Sequence, residues 1–204
     1  MRYDKFRYLY PPRAENAIPA ALLNSYERRK WVAQIKKNGT NSVIFVSPEK
    51  KVFAMNRHNA DHKQWQFTPE SEAIFKNLPG KGWYVINAEL LHSKVRNLRD
   101  TNYIHDILVD DGEYLLGETY AQRYSRLQMR FLHPAAKGSK YYWILDEHTW
   151  LAKNVTESFY ALYQSLTDPE DEGLVLKDPC GKLTIRDNRG WTVKCRYPHK
   201  NFSF

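Results

Sequence analysis

Cysteine is scarce in this 204-residue chain, which contains only Cys180 and Cys195. Two cysteines at this spacing form neither a disulfide framework nor a metal site, so a reducing cytosol is the expected compartment. No apolar run approaches the roughly 20 residues that a membrane-spanning helix needs. The first residues are aromatic and basic and lack the apolar region of a signal peptide. We therefore expect a cytoplasmic protein with no membrane partner.

Internal repeats and low-complexity tracts are also absent from the sequence. The composition, with 42% hydrophobic and 26% charged residues, is that of an ordinary globular protein and excludes a disordered one. A chain of this length can form one large domain or two small ones. Since no boundary is clear enough to divide it, we predict a single domain over residues 1–204.

Positive charge is in excess. The chain has 31 Lys and Arg against 23 Asp and Glu, a formal net charge of +8. This balance favours a polyanionic partner such as nucleic acid. The basic residues are spread along the sequence, so folding must assemble any basic patch.

The hydrophobic patterning predicts an α+β fold with mainly antiparallel strands. The predicted strands cover residues 31–35, 42–47, 51–55, 83–91, 103–109, 141–145, 173–177 and 191–196. The predicted helices cover residues 20–29, 69–77, 118–132 and 155–166. The first strand is expected to lead into a loop that carries Lys36. In the third helix, Arg123, Arg126 and Arg130 cluster away from the apolar face. Either this helix or the tail, residues 197–204, is a candidate to bind nucleic acid.

The most informative segment is Ile35-Lys36-Lys37-Asn38-Gly39-Thr40-Asn41. A lysine followed three residues later by glycine suits a covalent nucleophile beside a phosphate. The amine can attack phosphorus after losing a proton, and Gly39 lets the backbone pass close to a nucleotide. Because Lys-x-x-Gly arises by chance roughly once in a chain of this size, its value as evidence for a nucleophile depends on residues further along the sequence.

Further candidates follow in a fixed order. Arg57 comes just after a strand, Glu89 lies within one, and His105 lies near the start of the next. Glu172 immediately precedes a strand. Near the end, Lys194 and Arg196 are two residues apart in a strand and therefore share one face.

In this order, the segments KKNGTN, NRHN, NAEL, YIHDILVDDG, EGLVLK and VKCR resemble the motifs of the covalent nucleotidyltransferases. This family comprises polynucleotide ligases and messenger-RNA capping enzymes. The Gly-Thr-Asn ending is most similar to the T4 RNA ligase 2 type, and the resemblance covers residues 31–204. It implies an antiparallel-sheet adenylation domain with a nucleotide cleft between sheets. It also implies ATP, Mg²⁺ or Mn²⁺, and a monomer acting on nicked duplex DNA, RNA or a hybrid.

The resemblance assigns the catalytic roles. Lys36 would attack the α-phosphorus of ATP to form a lysyl-AMP, which then passes to a 5′-phosphate and is displaced by a 3′-hydroxyl. Lys194 and Arg196 would neutralise charge on the phosphates. Glu172 would be the metal ligand, because Mg²⁺ prefers oxygen donors and takes one or two protein carboxylates.

Nucleotide contacts are implied in the same way. Arg57 would contact the ribose or the incoming 5′-phosphate, and Glu89 the ribose hydroxyls. Gln34, two residues before the nucleophile, could read the adenine edge because its amide both donates and accepts. Lys177 is also a candidate. It lies five residues after Glu172, however, so strand alternation predicts that it points to the opposite face unless the end of the strand turns.

The sequence departs from the family pattern in three places. Asn38 stands where an acid is common. His105 stands where a phenylalanine or tyrosine usually stacks on the base, so Tyr103, on the same strand face, is an alternative stacking partner. The chain stops about ten residues after the last motif, so we expect no C-terminal oligonucleotide-binding domain.

Two other functions remain open at the level of sequence. A capping-type guanylyltransferase would load GMP onto the same lysine. A non-catalytic relative would keep only a basic nucleic-acid-binding groove. The sequence does not decide between DNA, RNA and hybrid substrates.

Overall fold

Two β-sheets build the protein, and each packs helices against its own hydrophobic core. The computed structural model describes residues 1–92, 100–133, 136–185, 188 and 190–198. Within these residues, the strands are β1 (Asn16–Ala17), β2 (Val32–Lys37), β3 (Thr40–Val46), β4 (Val52–Asn56), β5 (Tyr84–Leu91), β6 (Thr101–Asp110), β7 (Glu113–Tyr114), β8 (Lys137–Gly138), β9 (Tyr142–Asp146), β10 (Thr149–Ala152), β11 (Asp171–Lys177) and β12 (Thr192–Arg196). The α-helices are α1 (Leu23–Arg28), α2 (Pro69–Lys76), α3 (Tyr120–Phe131) and α4 (Phe159–Ser165), and a 3-10 helix covers Ala20–Leu22. The predicted α+β class with mainly antiparallel strands is confirmed.

The larger sheet has the strand order β4-β3-β5-β6-β10-β9-β8, with β7 paired to β6. Its pairings are antiparallel except that between β10 and β6. Helices α2 and α3 contribute Phe75, Tyr120, Leu127 and Phe131 to its core. This core is the larger of the two because it includes residues from both faces of the central strands.

The smaller sheet has the order β1-β12-β11-β2. Strand β11 is antiparallel to both β2 and β12, whereas β1 runs parallel to β12. Its apolar face carries Ala33, Ile35, Leu174, Leu176, Val193 and Cys195, which pack with residues of α1 and α4. Because side chains alternate along a strand, the other face of this sheet carries the intervening residues.

Most predicted elements occur within a few residues of their expected positions, but two expectations were wrong, and the short strands β1, β7, β8 and β10 were not predicted. Strand β2 continues through Lys37, so Lys36 lies inside a strand and not in a loop. The last predicted helix starts at Phe159, four residues after its expected beginning. Strand β10 was not predicted, because its four residues follow directly on a turn and give too short a pattern.

The expected arginine surface on α3 is also absent. Arg123 is fully buried, and its guanidinium donates to both carboxylate oxygens of Asp106 at 3.0 Å. Arg126 and Arg130 both donate to Asp110. The three charges that seemed available to nucleic acid are therefore compensated by carboxylates of β6. The alternative, the tail over residues 197–204, lies outside the described residues from position 199 onward.

Among the residues that the structure describes, no helix combines the length and the apolar character that crossing a bilayer requires.

Candidate active site

A cavity of about 610 Å³ is lined by residues of both sheets. All ten site residues predicted from the sequence line it: Gln34, Lys36, Gly39, Arg57, Glu89, His105, Glu172, Lys177, Lys194 and Arg196. These residues are separated by up to 162 positions in the chain, so the fold alone brings them together.

The wall formed by the smaller sheet follows from its strand register. Lys36 pairs with Gly173, which pairs with Arg196 on the other side. Two residues further along β11, Val175 pairs with Gln34 on one side and with Lys194 on the other. Since directly paired residues point to the same face of a sheet, the two rows place Lys36, Arg196, Gln34 and Lys194 together on the cavity side.

Glu172 reaches the cavity through a β-bulge in β11. Asp171 pairs with Lys37 and Gly173 with Lys36, so Glu172 is an extra residue without a partner in β2. Simple alternation would place its side chain on the apolar face, and the bulge turns it toward Lys36 instead. Gly173 makes this possible, because its φ of +134° is rarely adopted by other residues and a Cβ there would overlap the carbonyl oxygen of Cys195.

The Lys36 amine and the Glu172 carboxylate form an ion pair. Their side chains are 17% and 7% exposed, so both charges are largely removed from water. The Arg196 Nε lies 3.5 Å from the same carboxylate. One carboxylate therefore holds two cations at the cavity surface.

Lys37, although adjacent to Lys36, belongs to a different cluster. Its side chain is buried, and Nζ lies 2.6 Å from Asp171 and 3.7 Å from Glu170. The neighbouring carboxylates compensate its charge, so we assign it a structural role.

Lys194 is a partly buried cation beside the same group. Its pKa is lowered, first because the side chain is partly removed from water, and then because Arg196 and Lys36 are close. Cations that lie this close together disfavour the protonated form of the lysine among them. Such a cluster is suited to binding the negatively charged oxygens of a phosphate.

The opposite wall comes from the larger sheet. Glu89 pairs with Tyr103 across β5 and β6, and both line the cavity. His105 is an extra residue in this pairing, since Ile104 pairs with Ala88 and Asp106 with Asn87. A second bulge thus carries a site residue, as is common beside active sites.

His105 is neutral at ordinary pH. Loss of solvent, and then the nearby Lys177 charge, lower its pKa to about 3. As a whole residue His105 is partly exposed, although its Nδ1 is buried, whereas Tyr103 is only 2% exposed. Of the two aromatic candidates on β6, His105 therefore offers more surface to a ligand.

Gln34 is 2% exposed, and its Nε2 is buried without a hydrogen-bond partner among the described residues. A buried donor without a partner is costly unless a ligand supplies the acceptor. The amide is therefore a candidate for recognising a polar group in the cavity.

Lys177 lines the cavity, and the prediction that it points to the opposite face was wrong. The bulge at Glu172 shifts the alternation by one residue, which returns Lys177 to the side of Lys36. Its Nζ donates to the His105 carbonyl at 3.0 Å and lies 4.4 Å from the centre of the Tyr120 ring. Burial lowers its pKa to about 7, against the opposing effect of Asp106.

Arg57 and Gly39 lie at the edge of the cavity. Arg57 is exposed, and its Nε donates to His58 Nε2 at 3.1 Å. A Cβ at position 39 would lie 2.7 Å from Glu89 Cγ and 2.5 Å from the Leu90 carbonyl oxygen. The glycine thus allows the turn after β2 to pack closely on β5.

Sequence reasoning missed one part of the lining. Residues 10–15, which precede the recognised motifs, run along the cavity and include Arg13 and Glu15. The available signal was Pro11-Pro12, which favours an extended segment.

The arrangement of acidic side chains limits how a metal ion could be bound. Among the described residues, no group of three or more His, Cys, Asp or Glu side chains is arranged to hold a metal. Glu172 alone supplies an oxygen ligand beside Lys36. This arrangement fits Mg²⁺, which often takes one or two protein carboxylates and completes its shell with substrate phosphates and water.

The chain was compared with known proteins by sequence and by structure. Its sequence matches no protein-family model and no curated protein. The mycobacterial DNA ligase D complexed with ATP superimposes with a TM-score of 0.63 at 18% identity, covering 94% of this chain and 62% of that one. The ligase domain of LigD from M. tuberculosis gives a TM-score of 0.61 at 17% identity, covering 92% of this chain and 60% of that one.

A third similar structure is the ATP-dependent DNA ligase from bacteriophage T7 in complex with ATP. It gives a TM-score of 0.55 at 13% identity, covering 91% of this chain and 68% of the ligase. The present chain thus spans less than two thirds of the length of the two mycobacterial proteins. The sheet arrangement and these superpositions show that this chain has the fold of the nucleotidyltransferase domain of ATP-dependent DNA ligases.

Proposed function

We propose that this protein is an ATP-dependent polynucleotide ligase that seals a 3′-hydroxyl to a 5′-phosphate in a nicked duplex. The observation that carries the proposal is the position of the Lys36 amine, which is paired with Glu172 in a nucleotide-sized cavity that Lys194 and Arg196 also line. A solvated lysine at the end of a strand would have no reason to occur in this setting.

In the first step, Lys36 Nζ forms a bond to the α-phosphorus of ATP while the bond from that phosphorus to the pyrophosphate oxygen breaks. The Lys36 ammonium loses two protons in this step, one before the attack and one as the N–P bond forms, and the Glu172 carboxylate, which accepts its hydrogen bond, would pass them in turn to solvent. Lys194 and Arg196 stabilise the negative charge that develops on the phosphate oxygens. The product is a lysyl-AMP with free pyrophosphate.

In the second step, a 5′-phosphate oxygen of the nick attacks the same phosphorus and releases Lys36. In the third step, the 3′-hydroxyl attacks the 5′-phosphate, loses its proton and expels AMP. A template strand positions both ends, so we propose a preference for nicked duplex over free single strands. The similarity in fold to DNA ligases favours a DNA substrate, whereas the Gly-Thr-Asn sequence favours an RNA substrate. We therefore include both DNA and RNA strands in the proposal.

The remaining residues would bind the nucleotide. The buried Gln34 amide would donate to the adenine edge, His105 would stack on the base, and Glu89 would accept from the ribose hydroxyls. Arg57, at the edge of the cavity, would contact the ribose or the incoming phosphate. Glu172 would hold Mg²⁺ or Mn²⁺, which would neutralise charge on the phosphates when bound.

Intact-mass measurement after incubation with ATP and Mg²⁺ tests the proposal directly. The mass of the protein should rise by one adenylate and return to its original value when pyrophosphate is added. Lys36→Ala should abolish this change, whereas Lys63→Ala, an exposed lysine outside the cavity, should retain it. If the unmodified chain never gains an adenylate, the proposed chemistry is excluded.

Two alternatives are separated by the same assay. A guanylyltransferase would retain GMP from GTP, and a non-catalytic nucleic-acid-binding protein would retain no nucleotide. A panel of nicks with DNA or RNA on each side of the break then identifies the preferred strands. Efficient joining of untemplated single strands, with nicks ignored, would contradict the proposed preference.

A further inference from the structure

We propose that residues 10–15 form an N-terminal strap across the nucleotide cavity and that Arg13 binds the terminal phosphates of the triphosphate. This inference rests on the proposed use of ATP. It assigns a role to a segment that precedes all the recognised motifs.

The larger sheet holds one end of the strap. The Tyr8 hydroxyl donates to the Asn56 carbonyl at 2.9 Å, and Asn87 Nδ2 lies 3.5 Å from the Pro12 carbonyl oxygen. The first of these contacts is to the end of β4 and the second is to β5. The segment is therefore fixed on the larger sheet immediately before and within the part that lines the cavity.

The smaller sheet holds the other end. Asn16 and Ala17 form β1, which pairs with Val193 and Lys194 of β12. The Ile18 amide adds a hydrogen bond to the Lys194 carbonyl at 2.9 Å. Because its two ends are bound to different sheets, the strap must pass over the gap between them, which is the cavity.

Arg13 occupies the middle of this crossing. Its Nε and Nη2 donate to Glu15 Oε1 at 2.8 and 2.6 Å, and its guanidinium lies 5.7 Å from the centre of the Tyr10 ring. The Arg13 and Glu15 side chains are 47% and 34% exposed. An ion pair this exposed contributes little free energy, so a phosphate can replace Glu15 at small cost. The planar guanidinium then offers two parallel donors to phosphate oxygens.

The strap reaches the cavity beside Lys194, because Ala17 of β1 pairs with Lys194 and the Ile18 amide donates to the Lys194 carbonyl. Arg13, three residues before β1, lines the same cavity. The α-phosphate must lie at the Lys36 amine for the reaction to occur. A further cation, on the strap beside Lys194, is suited to the β- and γ-phosphates that leave as pyrophosphate.

The test compares the binding of ATP with that of AMP, since only ATP carries the terminal phosphates. Both are titrated by calorimetry against Lys36→Ala protein, which cannot form the covalent adduct, with and without Arg13→Ala. We expect Arg13→Ala to weaken ATP binding about tenfold, the loss of one charge-assisted hydrogen-bonding group, and to leave AMP binding unchanged. The matched control is Arg28→Ala, an exposed arginine of α1 outside the cavity.

The outcomes are distinct. Equal weakening of ATP and AMP, or no weakening of either, would overturn the role of Arg13 while leaving the ligase proposal intact. If neither nucleotide binds to any variant, including the control, then the proposed function fails and this inference falls with it.

Discussion

Glu172 and Lys36 form an ion pair although simple strand alternation would place their side chains on opposite faces of the smaller sheet. The bulge in β11 accounts for the contact, since it inserts Glu172 between two residues that pair with consecutive positions of β2. The chemistry proposed for the site thus depends on one irregularity in a short strand.

Replacement of Glu172 by glutamine should slow lysyl-AMP formation by about 100-fold, an effect typical of losing one electrostatic group in an active site. The amide keeps the shape of the side chain but removes the charge that would hold Mg²⁺ and accept the Lys36 proton. Single-turnover adenylylation measured by intact mass reports the rate. Glu147→Gln, an exposed acid outside the cavity, is the control and should react normally. Unchanged rates in both variants would exclude a catalytic role for the Glu172 charge.

Replacement of Gly173 by alanine should destabilise the protein by about 2 kcal/mol or more, because the backbone conformation at φ +134° is strained for alanine and the added methyl group meets β12. Adenylylation should fall as well, since the bulge positions Glu172. Thermal unfolding measures the first effect. Gly190→Ala, where a Cβ would meet no atom within 4 Å, should change neither property. If Gly173→Ala leaves the stability unaltered, then β11 can pair with its neighbouring strands without the bulge.

Replacement of His105 by alanine should raise the Kd for ATP about tenfold, within the range found for loss of one base-stacking ring. Phenylalanine at this position should restore or improve binding, because it stacks without needing charge. Since the pKa of His105 is about 3, the imidazole stays neutral from pH 5.5 to 8. Titrations at both ends of this range should therefore show the same ratio between His105→Phe and the unmodified protein. A ratio that changes with pH would indicate that a protonated His105 contributes to binding.

Replacement of Lys177 by methionine should stabilise the protein more at pH 7 than at pH 9. The folded protein lowers the pKa of Lys177 to about 7, whereas the unfolded chain has the ordinary value near 10.5. The unfolded state therefore binds more protons between these values, and the cost of burying the amine falls as pH rises through this window. Each pKa unit corresponds to about 1.4 kcal/mol, so the advantage of methionine should shrink by roughly 2 to 3 kcal/mol.

Denaturant unfolding at the two pH values measures this difference. Any hydrogen bond lost to the His105 carbonyl affects both pH values alike and cancels in the comparison. An advantage that is the same at pH 7 and pH 9 would show that Lys177 keeps its ordinary pKa in the folded protein.

The sequence predicted which residues meet in the cavity better than it predicted how they do so. Motif order identified ten lining residues, because each residue type has a chemical reason to lie beside a nucleotide. The two bulges were not predictable from spacing, since a strand with an extra residue has the same composition as a regular one. The opposite face assigned to Lys177 was wrong for this reason.

The burial and pairing of charged side chains were also not predicted from the sequence. Arg123, Arg126 and Arg130 lie at helical spacing and were interpreted as a basic surface, yet Asp106 and Asp110 of β6 compensate them. No local pattern indicates that α3 packs against the strand that carries these acids. The strap was missed because it precedes the motifs, and contacts distant in sequence, with β4 and β5 on one side and β12 on the other, bring it to the cavity.

The order of strands in the smaller sheet has a consequence for biosynthesis. Residues 16–17 and 32–37 must wait for residues 171–177 and 192–196 before they find their partners. Contacts this distant in sequence form late, because the intervening chain must first be ordered. A nascent chain that contains only the first 170 residues would therefore carry Lys36 without the strands that surround it, so the proposed site can assemble only after residues 171–196 have been synthesised.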